Sequence, residues 1–217
     1  MNLLNQSFSI LTKIDKNILK TIESIGRICY KSENKITEDS DIAFAEKIIK
    51  NGHESVIEHI SVTVKFICDR GISHELVRHR LSSFSQESTR YVDYMKGGLT
   101  FIIPPWIHIK PGKYGSMEDV YESNGSHIGE DVHEWLSHLF EVEESYESLR
   151  EQKWSPQEAR SILPNCLKTE LFMTANLREW RHVIKMRTAK GAHPQVVELI
   201  TSLHNELKSK IPILFDF

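Results

Sequence analysis

The sequence has few cysteines, and their arrangement excludes several classes of protein. Cys29, Cys68 and Cys166 are the three cysteines among 217 residues, and no two of them form a CxxC pair. Disulfide frameworks and zinc ribbons need closely spaced cysteines, so we expect neither. We expect the three thiols to fill space in a reducing cytosol.

Long apolar runs and a strong net charge are also missing. Nowhere do roughly 18 apolar residues follow one another, and residues 1–15 contain no apolar signal-peptide core, so we expect a cytoplasmic protein without a membrane span. The formal net charge is -3, which provides no global field to gather a nucleic acid. Any binding of anions must therefore be local.

Two catalytic or cofactor signatures are absent as well. No GxGxxG follows a predicted strand, so a Rossmann turn cannot hold FAD or NADPH here. Cys166 follows Pro164-Asn165 in no recognisable nucleophile motif. A covalent mechanism that attacks a substrate ring with an activated cysteine is therefore not indicated.

The hydrophobic fraction, 40%, suffices for the core of one globular domain over residues 1–217. Periodicity predicts helices from Asp15, over 39–51, over 132–149, over 167–188 and over 194–208, and alternation predicts a strand over 60–66. Ser73 is expected to cap a short helix, Ser155 with Pro156 to begin another, 84–94 to be extended, and 106–130 to be a long loop. Strands and helices without a βαβ rhythm predict an α+β fold with a mainly antiparallel sheet flanked by helices.

The densest group of chemically active side chains lies at residues 78–90, which read RHRLSSFSQESTR. Three guanidinium groups, an imidazole and several hydroxyls in thirteen residues have the composition of an anion site, since arginine binds phosphate oxygens bidentately. For an isolated RHR triplet, a solvated basic turn is the plainer interpretation. The serines and the arginine that follow at fixed spacing favour a binding site.

This spacing resembles the signature of the flavin-dependent thymidylate synthases, RHR, two residues, Ser, four residues, Ser, one residue and Arg. Residues 53–59 are similar to the family's HxSxxEH segment, and 29–32 resemble a stretch often found near its N-terminus. Residues 159–164 are similar to its AR..LP element, and 176–187 with 192–195 resemble its C-terminal block. The resemblance spans most of the chain, in the family's order.

The resemblance implies an enzyme that converts dUMP to dTMP, with methylenetetrahydrofolate as one-carbon donor and NADPH-reduced FAD as hydride source. It implies a homotetramer whose active sites draw on more than one subunit, and no nucleic-acid or membrane partner. Arg187 is the implied catalytic residue, because a guanidinium can stabilise negative charge on the pyrimidine. The other residues implied to bind dUMP are Glu75, Leu76, Val77, Arg78, Gln86, Glu87, Ser88, Thr89, Arg90 and Arg160. Those implied to bind FAD are Ser55, Arg78, His79, Arg80, Gln86, Asn176, Leu177, Arg178 and His182.

Several of these residues also have plain structural interpretations. Ser55 and Glu58 have the spacing of a capping box, and both roles can coexist. His53 and His59 are six residues apart, about 240° around a helix, so they cannot bind one metal ion together as in HExxH, and we expect no metal site. The stretch 176–190 carries five basic residues and Glu179 as its one acid, a pattern also found on solvated or RNA-binding helices. On that stretch Arg178 and His182 are four apart and share a face.

Some positions depart from the family pattern. Ser85-Gln86 stands where several members carry Asn-Glu, and Gly191 stands where some place a histidine, so no role is carried onto Gly191. His193 and Gln195 replace the commoner Gln and Glu of the closing motif. Two alternatives stay open: a nucleic-acid-binding module that uses the arginine clusters, and a family member or structural oligomer without turnover.

Overall fold

The computed structural model describes residues 1–15, 17–125 and 128–217. The chain divides into two compact units, each assembled from three separate segments. Unit 1 comprises Met1–Ser7, Phe66–Arg78 and Ser85–Leu171, and unit 2 comprises Phe8–Lys65, His79–Phe84 and Phe172–Phe217. Most boundaries between the units fall inside strands. One boundary divides the RHR triplet after Arg78.

Strands and helices alternate irregularly along the chain. The strands are β1 (Asn2–Leu4), β2 (Ser7–Ile10), β3 (Ser61–Asp69), β4 (Ser82–Gln86), β5 (Thr100–Ile102), β6 (Gly112–Lys113) and β7 (Lys168–Asn176). The α-helices are α1 (Asn17–Ile28), α2 (Ser40–Lys50), α3 (Arg70–Leu76), α4 (Met117–Asn124), α5 (Glu130–Glu151), α6 (Pro156–Ala159), α7 (Leu177–Arg187), α8 (Pro194–Lys210) and α9 (Pro212–Phe215). Short 3-10 turns occupy Glu33–Lys35, Glu54–His59, Tyr94–Lys96 and Arg160–Ile162.

Within the described residues the strands form two sheets, with the orders β5-β1-β6 and β2-β3-β7-β4. In the second sheet, Thr63 lies beside Thr174 and Lys65 beside Phe172, an antiparallel register. The first sheet is mixed, because β1 pairs in parallel with β5 and antiparallel with β6. The predicted combination of helices with an antiparallel sheet is confirmed. The prediction of one sheet is wrong, because the described strands form two.

Unit 1 packs its core around β1, β5 and α5. Leu3, Phe101 and Leu136 are fully buried there, together with Tyr146, whose relative exposure is 1%. The positions that α5 buries recur at helical spacing, as the apolar pattern over 132–149 predicts. The helix α5 contacts the segment that follows β4, and that segment carries part of the predicted site.

Unit 2 buries the alternating side chains of β3 and the apolar face of α7. Val62 and Val64 are fully buried, and so is Trp180, whose indole N–H donates to the Val62 carbonyl at 3.0 Å. That hydrogen bond satisfies the one polar atom of a large buried ring. It also fixes α7 against β3, and α7 carries three of the predicted flavin residues, Leu177, Arg178 and His182.

The long helix predicted over 167–188 is wrong in its first half. Residues 168–176 form β7, whose buried positions alternate, with Leu171, Met173 and Ala175 on the inner face. Alternation of this kind has the period of a strand, although some of the same apolar residues also fit a helical stripe. The helix begins only at Leu177, where the Asn176 side chain accepts from the Glu179 N–H at 2.9 Å.

Three other predictions are corrected by local hydrogen bonds. Ser73 does not cap a helix, because Asp69 caps α3 by accepting from the Ile72 N–H at 2.6 Å and Ser73 lies buried inside it. Ser55 makes no cap either, since residues 54–59 form a 3-10 turn. Cys29 does not fill space, because it is exposed.

The predicted loop 106–130 contains regular structure. It includes β6 and also α4, which begins with a capping box between Ser116 and Asp119. Residues 126 and 127 of this predicted loop lie outside the described residues. The extended segment predicted over 84–94 ends at Gln86, after which the chain turns.

The remaining predicted helices are confirmed, and so is the strand predicted over 60–66, with shifts of a few residues at their ends. Gly52 adopts a φ of +70° just after α2, the left-handed conformation that ends a helix. Ser155 and Glu158 form the predicted capping box in front of α6. Across the described residues, no helix is both long and apolar enough to cross a membrane.

Candidate active site

The predicted dUMP residues, apart from Arg187, lie in unit 1 around the end of β4. Gln86 is held firmly, because its amide nitrogen donates to Ser73 Oγ at 2.9 Å and to Thr169 Oγ1 at 3.1 Å. The next residue, Glu87, accepts from the Tyr94 hydroxyl at 2.8 Å and from Lys168 Nζ at 2.9 Å. These partners fix the start of the turn that carries residues 88–90.

That turn brings two distant stretches of the chain together. The Ser88 carbonyl accepts from the N–H groups of Tyr91 and Val92, which closes the turn. Thr89 is buried, and its Oγ1 lies 3.4 Å from a terminal nitrogen of Arg160, 71 residues away in sequence. The structure thus places Arg160 beside the motif, as a shared site requires.

Among the described residues, the arginines of this cluster lack carboxylate partners. Arg78, Arg90 and Arg160 are all exposed, and none makes an ion pair with another residue in the described part of the chain. Other cations of unit 1 are neutralised, for example Arg150 by Asp93 at 2.7 Å. Guanidinium groups that are left without a carboxylate can bind a phosphate bidentately.

One predicted flavin residue of unit 2, His79, is a buried imidazole. His79 is 4% exposed, and its Nε2 accepts a hydrogen bond from Arg187 Nε at 2.9 Å. Its Nδ1 lies 3.4 Å from Glu179 Oε1. The His182 ring approaches edge-on, with 5.8 Å between ring centroids.

These surroundings keep His79 neutral. Burial, the positive charge of Arg187 and the neighbouring His182 lower the pKa of His79 to about 4. A neutral imidazole has one acceptor nitrogen, and Arg187 occupies it because guanidinium groups only donate. The proton of His79 therefore resides on Nδ1, which faces Glu179.

Unit 2 has two neighbouring cavities, and the first of them includes Glu179 and His182 of this imidazole cluster. The first has a volume of about 690 Å³ and is lined by Glu54, Glu58, Leu81, Asn176, Arg178, Glu179, Arg181, His182 and Lys185. The second, of about 390 Å³, shares Glu54 and Arg178 with the first and includes Ser55, Tyr30 and Phe44. Concave sites of this size hold ligands as large as cofactors.

Two of the three cations in the first cavity are oriented by carboxylates, unlike the site arginines of unit 1 within the described residues. A terminal nitrogen of Arg178 donates to Glu58, and Arg181 Nε donates to Glu54 at 3.1 Å. Lys185 lies over the Phe217 ring at 4.6 Å from its centroid. The lining is therefore polar and nearly balanced in charge.

Comparison with known proteins places this chain in a family. Residues 10–213 match the family model described as Thymidylate synthase complementing protein. Over 199 residues the chain is 33% identical to the flavin-dependent thymidylate synthase of Mycobacterium sp. (strain JLS), covering 89% of this chain and 77% of the relative. The chain belongs to the family of the flavin-dependent thymidylate synthases. The corresponding protein of Corynebacterium aurimucosum is 32% identical over 204 residues, covering 90% of this chain and 78% of the relative.

Solved structures share the fold of this flavin-dependent thymidylate synthase family member. The UMP/dUMP methylase PolB from Streptomyces cacaoi, crystallised with 5-Br dUMP, aligns over 100% of this chain and 96% of its own, with a TM-score of 0.76 and 21% identity. Thymidylate synthase X from Helicobacter pylori, solved with FAD and dUMP, aligns over 97% of both chains with a TM-score of 0.72 and 20% identity. The family recognised from the motifs is confirmed.

Some residues that the motifs assign to the site of this family member have side chains that serve packing. Leu76 and Leu177 are fully buried apolar side chains, so a ligand could meet only their backbone. Val77 and Arg80 are exposed, and Glu75 is half-buried at the end of α3. Glu87 is engaged by Tyr94 and Lys168, so its carboxylate is already bound within the protein.

Sequence reasoning did not assign Glu179, Glu54 or Arg181 to the site. All three line the first cavity, and Glu179 and Arg181 are each 6% exposed. One signal was present in the sequence, because Glu179 is the one acid in a stretch with five basic residues. A buried acid in such a stretch indicates a specific partner, since a charge without one is costly to bury.

His79, Glu179 and His182 also have the composition of a metal site. Among the described residues, their ligand atoms lie within 4.8 Å of one another. The Arg187 guanidinium, however, occupies Nε2 of His79 and repels a cation at that distance. The geometry favours a hydrogen-bonded cluster over a metal centre.

The neutrality of His79 predicts a pH dependence of stability. The folded pKa, about 4, lies below the value near 6.5 of an unperturbed imidazole, so the unfolded state binds its proton first as the pH falls. We expect the free energy of unfolding to fall between pH 6.5 and 4 by roughly 3 kcal/mol more in the wild type than in His79→Gln. Denaturant unfolding measured across that range tests this, and parallel curves for the two proteins would contradict it.

Proposed function

We propose that this protein converts dUMP to dTMP, with methylenetetrahydrofolate as one-carbon donor and NADPH-reduced FAD as hydride source. The observation that carries the proposal is the hydrogen bond of 2.9 Å that holds Arg187 on the buried His79, within a chain that matches the family over residues 10–213. Relatives at 32–33% identity bear the name flavin-dependent thymidylate synthase. We further propose that residues 1–217 work as one functional domain, a proposal supported by the interleaving of the two units along the chain.

The dUMP phosphate is assigned to the cluster of unit 1. Arg90 and Arg160 supply guanidinium groups without carboxylate partners within the described residues, and the Ser88 and Thr89 segment supplies hydroxyl and backbone donors. Arginine pairs of this kind bind phosphate strongly because their donors match its oxygens. Glu75, Leu76, Val77, Arg78, Gln86 and Glu87 complete the proposed nucleotide set.

FAD is assigned to the cavities of unit 2, with Arg78 and Gln86 as proposed additional contacts. The residues present fit such a group, because the lining combines donors from Asn176, Arg178 and His182 with apolar surface from Tyr30 and Phe44. Ser55 lines the smaller cavity, and His79, Arg80 and Leu177 lie in the same unit. When bound, FAD supplies the electrons that complete the methyl group, and the protein positions it and excludes water.

Arg187 is the residue proposed to act on the pyrimidine. Its Nε is bound to His79, which fixes the plane of the guanidinium at the end of α7. A fixed guanidinium stabilises negative charge that develops on the ring at N3 and the neighbouring carbonyl, with little reorganisation during the reaction. His79 thus contributes by orienting Arg187 as well as by contact with the flavin.

The protein is proposed to assemble as a homotetramer with shared active sites. A chain of 217 residues is short for binding sites that hold a nucleotide, a flavin, a folate and a nicotinamide dinucleotide. Active sites that combine residues from several copies of the chain resolve this difficulty, because each copy needs to contribute only part of a site.

Replacing Arg187 tests the proposed reaction. With dUMP, methylenetetrahydrofolate, FAD and NADPH, the wild type should form dTMP, and Arg187→Ala should lower kcat by about 100- to 1000-fold while FAD stays bound. Lys190→Ala, which removes a nearby exposed positive charge, should change kcat by less than about twofold. Unchanged turnover in Arg187→Ala would remove this residue from the mechanism, and a wild type that forms no dTMP would overturn the proposed function.

Light scattering tests the proposed assembly. We expect a particle of four chains of 25.2 kDa each, and we expect activity per chain to fall on dilution as the particle dissociates. The measurement is multi-angle scattering after size exclusion, with dTMP formation assayed in the same fractions. A monomer with full activity would contradict the proposal.

A further inference from the structure

Glu179 is a buried carboxylate to which the proposed mechanism gives no role. It lies in the first turn of α7 and is 6% exposed, among the five basic residues of the stretch 176–190. Burial raises the pKa of Glu179, and the neighbouring His182 lowers it. A carboxylate is costly to bury unless a donor faces it, so the position of this side chain requires a partner.

The partner that the structure gives Glu179 is His79, at ion-pair distance. Glu179 Oε1 lies 3.4 Å from His79 Nδ1, on the side of the ring opposite to Arg187. The bond of 2.9 Å from Arg187 Nε to His79 Nε2 requires a lone pair on Nε2, because guanidinium nitrogens cannot accept. The proton of the neutral ring must then be on Nδ1, and Glu179 is the carboxylate placed to receive it.

The charges of Glu179 and Arg187 are consistent with this tautomer of His79. The Glu179 carboxylate, the neutral His79 imidazole and the Arg187 guanidinium follow one another. The negative charge therefore faces Nδ1 of the ring and the positive charge faces Nε2. If the proton moved to Nε2, two N–H donors would point at each other and the Arg187 bond would be lost. The carboxylate stabilises the tautomer in which that bond exists.

We propose that Glu179 is a positioning residue that fixes the Nδ1–H tautomer of His79 and thereby orients the guanidinium of Arg187. This inference rests on the proposed function, because it concerns how Arg187 is held for the reaction on dUMP. It predicts that Glu179 acts on turnover through the imidazole, without touching a substrate.

A purely structural role for Glu179 makes different predictions. A negative charge in the first turn of a helix interacts favourably with the helix dipole, and that effect is worth about 0.3–1 kcal/mol. Such an effect would change stability but would leave the tautomer of His79 and the kcat unchanged. The two roles are therefore separable by a spectroscopic and a kinetic measurement on the same variants.

The variants form a graded series at one position. Glu179→Gln keeps the shape and a weaker neutral acceptor, and Glu179→Met keeps similar volume with no comparable acceptor. The matched control is Glu206→Gln, which removes a carboxylate on α8 that pairs with Lys210 at 3.5 Å. Circular dichroism verifies folding, and Glu179→Gln keeps the test decisive if Glu179→Met does not fold.

The first readout is the tautomer of His79 in protein labelled with 15N-histidine, measured near pH 7 on the complete chain with FAD added. The His79 signals are assigned by their absence in His79→Gln. We expect the wild type to carry the proton on Nδ1, Glu179→Gln to keep most of that form, and Glu179→Met to show a substantial Nε2–H population. A wild-type proton on Nε2, or an unchanged tautomer in Glu179→Met, would overturn the proposal.

The second readout is steady-state kinetics of dTMP formation. We expect kcat to fall about 10-fold in Glu179→Gln and about 100-fold in Glu179→Met, with KM for dUMP within about twofold, since a misplaced catalytic group costs turnover. Glu206→Gln should keep wild-type kcat. A loss in KM alone, or kcat within twofold in both variants, contradicts the positioning role. If the wild type makes no dTMP but Glu179→Met still shows the tautomer shift, the proposed function is overturned, whereas the control of the His79 tautomer by Glu179 stands.

Discussion

A buried, neutral imidazole that accepts a hydrogen bond from a guanidinium is the constraint on which the candidate chemistry depends. His79 Nε2 and Arg187 Nε are 2.9 Å apart, although 108 residues separate them in the sequence. The bond forms only if the ring is uncharged, and burial together with the positive charge of Arg187 keeps the pKa of His79 at about 4. Each partner therefore fixes the state of the other.

This constraint explains several local features of unit 2. The helix α7 carries both Glu179 and Arg187, and the Asn176 cap sets its beginning at Leu177. Trp180 anchors the same helix to β3 through the Val62 carbonyl, so the register of α7 is fixed by packing. Packing, capping and the buried hydrogen bond agree on one position for Arg187.

The site arginines of the two units differ in their partners, in a way that follows their proposed roles. In unit 1, Arg90 and Arg160 have no carboxylate partner within the described residues, which suits side chains that await a phosphate. In unit 2, Arg178 and Arg181 are bound to Glu58 and Glu54, which orients them before any ligand arrives. Preorganised polar groups of this kind cost little rearrangement when charge develops.

The sequence predicted local features of the fold and site well, and it predicted contacts between distant residues poorly. The capping box at Ser155, a strand over 60–66 that is observed as Ser61–Asp69, and the grouping of Arg160 with Thr89 followed from spacing and resemblance. Residues 168–176 were misassigned because Leu171 and Ala175 satisfy a helical period as well as a strand period, and the sheet neighbours decide between them. The contact of Glu179 with His79 joins positions 100 residues apart, so spacing along the chain carried no trace of it.

A double-mutant cycle on His79 and Arg187 tests the central claim most directly. The quantity is kcat for dTMP formation in His79→Ala, Arg187→Ala and the double variant, measured with saturating dUMP and FAD. If the two side chains act as one unit, the double variant should lose no more than about the larger of the two single losses. Losses that multiply, as for independent residues, would contradict the claim that the imidazole works by holding the guanidinium.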